Sequence, residues 1–207
     1  MNKTNRNRFL LGVWGIGVLY LVLCVLFFAP TTAPYKLAYP LAFLTLVSFV
    51  EGGTSLLTLA LALSALGDFW GASRELLLQI GAFSVAQVCY LLLIARGLPR
   101  RSVGQIVSAV LLPVALIVIA IIAILPVGVM GAVKVGVIVY SLLIGAMVTF
   151  ALLSQRWSVR IGAMLFMFSD FTLAYAIFVA PTPPLLYGSL ALYFVGQWLL
   201  WLGLRQR

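Results

Sequence analysis

The sequence predicts an all-α membrane protein, a bundle of eight transmembrane helices with both termini in the cytoplasm. Three observations support this prediction. Hydrophobic residues make up 64% of the 207 residues and charged residues only 8%, whereas a soluble domain is about one quarter charged. The apolar segments run on for roughly 20 residues, the length that a helix needs to cross a bilayer. The basic residues are concentrated in alternate connections between these segments.

Eight apolar segments follow one another with short connections. We place the spans at 9–29, 36–50, 54–71, 76–95, 105–125, 132–153, 160–180 and 185–204. A transmembrane β-barrel would alternate apolar and polar side chains, and these segments are too continuously apolar for that. We therefore expect a single membrane domain over residues 1–207.

Turn-forming residues delimit the first four spans. The first follows a basic leader, and its apolar stretch of about 20 residues exceeds that of a signal peptide, so we expect a retained helix. The second follows the Ala29-Pro30 turn and ends at the Glu-Gly-Gly turn at 51–53, and at 36–50 it is the shortest. The third ends in the turn at 71–74 and the fourth in the turn at 97–101.

The last four spans are delimited in the same way. The fifth ends at the turn at 126–128, and the sixth ends before the basic segment that contains Arg156. The seventh carries an aspartate near its centre. A proline-rich turn at 181–184 precedes the eighth, whose Trp198 and Trp201 fit the aromatic belt at a membrane interface.

The distribution of basic residues predicts the orientation. With the N-terminus in the cytoplasm, ten of the thirteen lysines and arginines lie on the cytoplasmic side and three outside, namely Lys36, Arg74 and Lys134. This asymmetry is what the positive-inside rule describes. We expect a multi-pass protein of the bacterial cytoplasmic membrane. The net charge of +9 includes no basic helix face or basic-aromatic stripe, so we expect no nucleic-acid partner.

Two of the four acidic residues lie inside predicted spans. Asp170 is near the centre of the seventh span, beside Ser169, and Asp68 is near the outer end of the third, four residues after Ser64 and on its face. An aspartate at a helix centre costs about 3 kcal/mol on insertion scales, so it marks a functional site by default. The alternative is a protonated carboxyl that holds helices together, at about 1 kcal/mol per contact.

Other polar side chains lie at membrane depth. Gln87 and Tyr90 share a face of the fourth span, Tyr193 and Gln197 share a face of the eighth, and Tyr140 lies in the sixth. Each of these residues is a candidate for substrate binding, and so are the two serines near the aspartates, Ser64 and Ser169. The alternative is hydrogen-bonded packing between helices.

The chain contains no histidine, which removes the commonest metal ligand and the commonest general base. Its two cysteines, Cys24 and Cys89, lie in apolar segments without the spacing of a metal or redox motif. We therefore expect no metal site and no cofactor, and any acid–base chemistry falls to the aspartates.

Four stretches resemble a known family. LALSALGDFW resembles the S-x-x-G-D helix of the YhhN family, and IGAMLFMFSDFTLAY resembles its G-A-x-x-F-x-x-S-D-x-x-L-A signature. VYSLLIGAMVTFALL resembles the tyrosine-bearing sixth helix, and LYFVGQWLLWLG the last helix. The resemblance covers most of the chain from about residue 36 onward. The Gly-Asp and Ser-Asp motifs are specific as a pair.

The resemblance implies eight helices and lysoplasmalogenase activity, the hydrolysis of the vinyl ether of a lysoplasmalogen to a fatty aldehyde and a glycerophospho-ethanolamine or -choline. The chain departs from the family at Gln87, where members often carry a histidine, and near Gln197, where some do. If that histidine were an essential base, this chain would be inactive or differently specific. If the aspartates carry the chemistry, a glutamine can still orient a water molecule.

A vinyl ether is hydrolysed by protonation of its β-carbon and capture of the resulting cation by water. Removal from water disfavours the charged form of a carboxyl, so we expect Asp170 to be the acid and Asp68 the base. Lys36, on the outer side, is a candidate for the phosphate of a lysophospholipid, and interfacial snorkelling is its alternative. Two other functions stay open, a lipid-binding or transport protein with proton-binding aspartates and a structural subunit.

Overall fold

The computed structural model describes residues 3–28, 34–124 and 131–205, and its regular elements are helical throughout that part of the chain. The helices are α1 Lys3–Phe28, α2 Tyr39–Val50, α3 Ser55–Ala72, α4 Leu76–Ala95, α5 Val103–Ile124, α6 Gly131–Leu153, α7 Trp157–Phe178 and α8 Pro183–Leu204. A short 3-10 helix, Pro34–Ala38, precedes α2. The predicted eight-helix membrane bundle is confirmed. The turn at 126–128 lies outside the described residues.

Six of these helices, α3 to α8, are long and apolar enough to cross a membrane. The two shorter apolar segments are Gly15–Phe27 within α1 and Tyr35–Val50, in which the 3-10 helix lengthens α2. Most of α5 exposes apolar side chains, as a helix facing lipid does. The protein is therefore a multi-pass membrane protein.

Helices α7 and α8 form the most extensive helix pair of the described structure. Their backbones approach at two facing glycines, Gly162 and Gly196. A Cβ on Gly162 would lie 2.9 Å from the Gly196 carbonyl oxygen, and one on Gly196 would lie 3.0 Å from that of Gly162. Small residues permit such approach between membrane helices, where packing rather than water drives association. This contact fixes α7, which carries Asp170, against α8, which carries Tyr193.

A second close contact positions α3 against α4. A Cβ on Gly67 would lie 2.7 Å from the ring of Phe83, so only a glycine leaves room for that ring. Phe83 also makes edge-to-face contacts with Phe166 and Tyr193, with centroids 6.3 Å and 5.9 Å away. The residue after Gly67 is Asp68, so this packing places a carboxyl next to the aromatic cluster.

Arginines close one end of the bundle. Arg101 donates two hydrogen bonds to the Leu153 carbonyl, at 2.9 and 2.6 Å, and Arg156 donates one to the Gly203 carbonyl. These carbonyls end α6 and α8, where unsatisfied backbone oxygens and the helix dipole favour a cation. Arg205 pairs with Glu51 at 3.0 Å at the same end.

Both described ends of the chain lie on this arginine-rich side. Tyr20 of α1 donates to the Phe194 carbonyl of α8 at 2.9 Å and stacks on Trp198. The two helices therefore run antiparallel, and α1 starts where α8 ends. The assignment of this side to the cytoplasm stays a prediction from the charge asymmetry.

Candidate functional site

A cavity of about 480 Å³ lies at the end of the bundle opposite the arginine-rich side. Helices α3, α4, α7 and α8 supply most of its wall. Asp68 and Asp170 both line it, with Ser169 and Tyr193. Two aspartates that are about a hundred residues apart in the chain therefore face one space.

Asp68 is enclosed by protein. The residue is 5% exposed, and its Oδ2 accepts a hydrogen bond from the Tyr193 hydroxyl at 3.0 Å. Tyr193 is itself buried and lies within 5.4 Å of Phe166, centroid to centroid. A rigid aromatic cluster thus holds the donor that fixes this carboxyl.

Asp170 is half-buried and accepts a hydrogen bond from the Tyr140 hydroxyl of α6. Asp170 lies nearer the centre of its span than Asp68 does, and yet its side chain is the less enclosed of the two. The reason is that two cavities meet at Asp170. Ser169 beside it is buried and lines only the larger one.

The second cavity is smaller, about 90 Å³, and almost wholly apolar. Its wall comes from α4, α5, α6 and α7 and includes the aliphatic residues Ile80, Ile121, Ile144 and Leu173. The only groups of its wall that can ionise are the carboxyl of Asp170 and the hydroxyl of Tyr140, among the residues described. Asp170 therefore lies between a larger cavity that carries polar side chains on a mainly apolar wall and a smaller cavity that is almost wholly apolar.

Three of the predicted binding residues lie behind the larger cavity rather than on its wall. Tyr90 donates to Gln197 Oε1 at 2.6 Å, Gln197 Nε2 donates to Ser64 Oγ at 3.1 Å, and Ser64 donates to the Ala60 carbonyl at 2.9 Å. All three side chains are buried and satisfied by one another. These hydrogen bonds join α3, α4 and α8. The three side chains therefore take the alternative role, hydrogen-bonded packing between helices.

Gln87 has no such partner. The residue is fully buried, and both polar atoms of its amide make no hydrogen bond to the described residues. The amide lies beside the Tyr140 hydroxyl. An unsatisfied buried amide costs about 1–3 kcal/mol, and native proteins keep few such groups. Gln87 lines neither cavity, so the structure does not bring this predicted binding residue to the space that Asp68 and Asp170 face.

Lys36 does not line either cavity, although its neighbour Leu37 lines the larger one. Successive residues of a 3-10 helix point about 120° apart, so only one of the two can face the site. The basic residue on the described cavity wall is Arg74, which the sequence analysis places on the outer side without a role in binding. Gln79, which lines both cavities, was also missed. Both residues follow Asp68 closely in the chain and lie at the same end of the bundle, and this position is the feature of the sequence that could have indicated them.

A family model described as the YhhN family matches residues 24–204. The chain belongs to the YhhN family. The match covers nearly the whole chain and extends into α1, beyond the stretches that carried the resemblance. No curated protein and no solved structure matches the chain.

Both motifs that indicated the YhhN family bear on the larger cavity. Asp68 of the Gly-Asp motif and Ser169 and Asp170 of the Ser-Asp motif line its wall, and Gly67 admits the Phe83 ring that also lines it. Residues of both motifs therefore meet at one cavity in this YhhN protein.

Proposed function

We propose that this YhhN-family protein is a membrane hydrolase that cleaves the vinyl ether of a lysoplasmalogen, releasing a fatty aldehyde and a glycerophospho-ethanolamine or -choline. One observation carries the proposal. Two aspartates line one cavity, and one of them stands where that cavity meets an almost wholly apolar one. A single-chain ether lipid has the same division, with an alkenyl chain on one side of the reacting bond and a polar glycerol on the other.

The geometry favours Asp170 as the acid. An alkenyl chain in the apolar cavity places its first carbons at Asp170, the carboxyl at the junction. Asp68 lines only the larger cavity, which has the polar groups and the volume for the attacking water. Two carboxyls in unlike surroundings divide acid and base roles in other hydrolases.

The steps balance without a further reactant. Protonated Asp170 gives its proton to the β-carbon of the vinyl ether, and an oxocarbenium ion forms. Water adds to that ion and loses a proton to the Asp68 carboxylate, which gives a hemiacetal. The Asp170 carboxylate then takes the hemiacetal hydroxyl proton while Asp68 protonates the departing glycerol oxygen. The carbon–oxygen bond breaks, the aldehyde leaves, and both aspartates return to their starting states.

Neighbouring donors support these roles. Tyr193 and Tyr140 each donate to one of the two aspartates and so fix the direction in which each carboxyl points. Gln87, which is buried beside the Tyr140 hydroxyl and lines neither cavity, can help to position that hydroxyl. Pre-oriented groups of this kind lower the barrier, since little reorganisation remains for the reaction itself.

The test is aldehyde release from a vinyl-ether lysophospholipid by the purified protein in detergent, coupled to an aldehyde dehydrogenase. We expect Asp170→Asn and Asp68→Asn each to lower the rate by about 100-fold or more, the usual scale for a lost acid–base group. Glu51→Gln, which removes a carboxylate at the far end of the bundle, is the matched control and should keep the rate.

Turnover in detergent needs no ion gradient, so it separates a hydrolase from a transporter whose aspartates carry protons. Full activity in Asp170→Asn would contradict the proposal, because the acid would then lie elsewhere. No aldehyde from the wild-type protein, under conditions where it stays folded, would also contradict it.

A further inference from the structure

Arg74 is the basic residue on the wall of the larger cavity, and the described residues that line the smaller one include no basic group. Arg74 is exposed, whereas Asp68 is buried and Asp170 half-buried. The arginine therefore stands at the mouth of the cavity, with the carboxyls deeper inside.

The backbone at Arg74 is unusual. Its φ is +64°, and no other non-glycine residue of the described structure has a positive φ. Arg74 follows the end of α3, where the Glu75 N–H bonds the Trp70 carbonyl at 2.8 Å. That bond closes the turn in which glycine normally takes the left-handed position. A side chain there is unfavourable, and outliers of this kind point to a functional role.

Among the residues that the structure describes, no acidic partner accounts for the arginine. Its guanidinium forms no ion pair with Asp68, Asp170 or its neighbour Glu75 in the part of the chain that the structure describes. A guanidinium offers five donors in a planar fork that matches the oxygens of a phosphate. Arg74 is thus a cation at the mouth of a cavity of about 480 Å³, and its guanidinium is not paired with a carboxylate of the described residues.

Gln79 adds a second donor on the same wall. Its amide packs against Gly71, where a Cβ would lie 2.5 Å from Nε2, so the glycine makes room for it. Gln79 lies on the first turn of α4, just after the Arg74 turn, and its N–H bonds the Glu75 carbonyl at 3.0 Å. A cation and a neutral amide at one mouth suit an anionic oxygen group.

We propose that Arg74 binds the phosphodiester of a single-chain phospholipid, with Gln79 as a neighbouring donor. This inference rests on the proposed function, since it names the residue that holds the headgroup of that substrate. The glycerol backbone separates the phosphate from the ether bond. A phosphate held at the mouth therefore places the ether deeper in the cavity, at the level of Asp68 and Asp170.

The test measures binding without cleavage of a vinyl ether. The unfolding midpoint of the purified protein is followed in nonionic detergent against three probes, an ester-linked lysophosphatidylethanolamine, a monoacylglycerol with the same chain, and inorganic phosphate. Ligands that bind the folded state raise the midpoint according to their affinity. We expect the wild type to prefer the lysophospholipid over the monoacylglycerol by about tenfold or more, as for a charge-assisted hydrogen bond.

Arg74→Gly is the decisive variant, because glycine relieves the left-handed backbone and should leave the unliganded protein at least as stable. We expect it to reduce the preference to about twofold or less. Arg74→Lys should keep part of it, since a point charge replaces the fork. Lys36→Gln and Lys134→Gln, which remove the other predicted outer cations, should keep all of it.

Four results would overturn the inference. They are a preference that survives in Arg74→Gly, a wild type without preference, a preference lost in Lys36→Gln instead, and equal stabilisation by inorganic phosphate, which would point to a free anion. Aldehyde release is measured separately. Binding that depends on Arg74 without aldehyde release would count against the vinyl ether hydrolase and leave the phosphate site standing.

Discussion

The regions around Asp68 and Asp170 use the same device in different surroundings. Each carboxyl accepts a hydrogen bond from a tyrosine on another helix, Tyr193 for Asp68 and Tyr140 for Asp170. Asp68 is enclosed, and its tyrosine is packed among aromatic rings. Asp170 stands between two cavities.

The difference shows that the presence of an aspartate in an apolar helix does not reveal how its carboxyl is surrounded in the folded protein. The Asp68 region is a packed polar core, continuous with buried groups on α3, α4 and α8. The Asp170 region is the place where the larger cavity meets the smaller one. Both carboxyls face the larger cavity, but only Asp170 also faces the smaller one, and it is the less enclosed of the two.

The largest effect is expected from a substitution that disturbs the Asp68 and Asp170 regions together. Gly196→Ala places a methyl group about 3.0 Å from the Gly162 carbonyl oxygen and pushes α8 from α7. Overpacking of this kind costs about 1–3 kcal/mol, and it moves Tyr193 relative to Asp68 and Asp170. We expect a lower unfolding midpoint and reduced aldehyde release.

Gly188→Ala is the control on the same helix, because a Cβ there meets nothing within 4 Å. That change should be neutral or stabilise α8 by up to about 1 kcal/mol, the difference in helix propensity between glycine and alanine. Equal destabilisation by both variants would show that the close approach of α7 and α8 is not what holds the site.

The next effect tests the comparison directly. Tyr193→Phe removes the donor to an enclosed carboxyl, and an unsatisfied buried group costs about 1–3 kcal/mol. Tyr140→Phe removes the donor to Asp170, which can gain water through the cavities, so we expect a loss under about 1 kcal/mol. Unfolding of the two variants, measured side by side in one detergent, gives both values. A Tyr140→Phe loss as large as that of Tyr193→Phe would erase the distinction between the two regions.

The smallest effect uses a third carboxyl as a solvated reference. Glu51 pairs with Arg205 at 3.0 Å at the arginine-rich end, and its side chain is 39% exposed whereas that of Arg205 is 6% exposed. An ion pair whose carboxylate stays in contact with water contributes about 1 kcal/mol or less and weakens with salt. Glu51→Gln should therefore lower the unfolding midpoint slightly at low salt and less at high salt, with the Arg205 guanidinium still packed 4.3 Å from the Trp201 ring centroid. A large, salt-independent loss would mean that this end of the bundle is as tightly held as the Asp68 region.

The sequence alone identifies many residues of the candidate site, but it does not show how these residues are arranged in space. Asp68, Asp170, Ser169 and Tyr193 all line the larger cavity as a binding or catalytic role requires. Ser64, Tyr90 and Gln197 were named on equal grounds, yet they bond to one another behind it. Helical spacing shows which residues share a face, but it does not show whether that face meets a neighbouring helix or a cavity.

Lys36 and Arg74 show the same limit for charged residues. Both were predicted on the outer side, and only Arg74 lines the cavity. The choice depends on the left-handed turn at Arg74 and on the direction in which a short 3-10 helix points Leu37. Neither feature can be predicted from the hydropathy of the sequence or from the distribution of its charged residues.

The sequence by itself determined the bilayer as the solvent, the eight helices with their approximate bounds, and the two aspartates as the costly residues. These follow from local physics, because a span must satisfy its own backbone hydrogen bonds and cover them with apolar side chains. Only the tertiary structure decided that Asp68 and Asp170 face one cavity, with Arg74 at its mouth. That decision depends on how closely helices pack at Gly67, Gly162 and Gly196, and packing joins residues far apart in the chain.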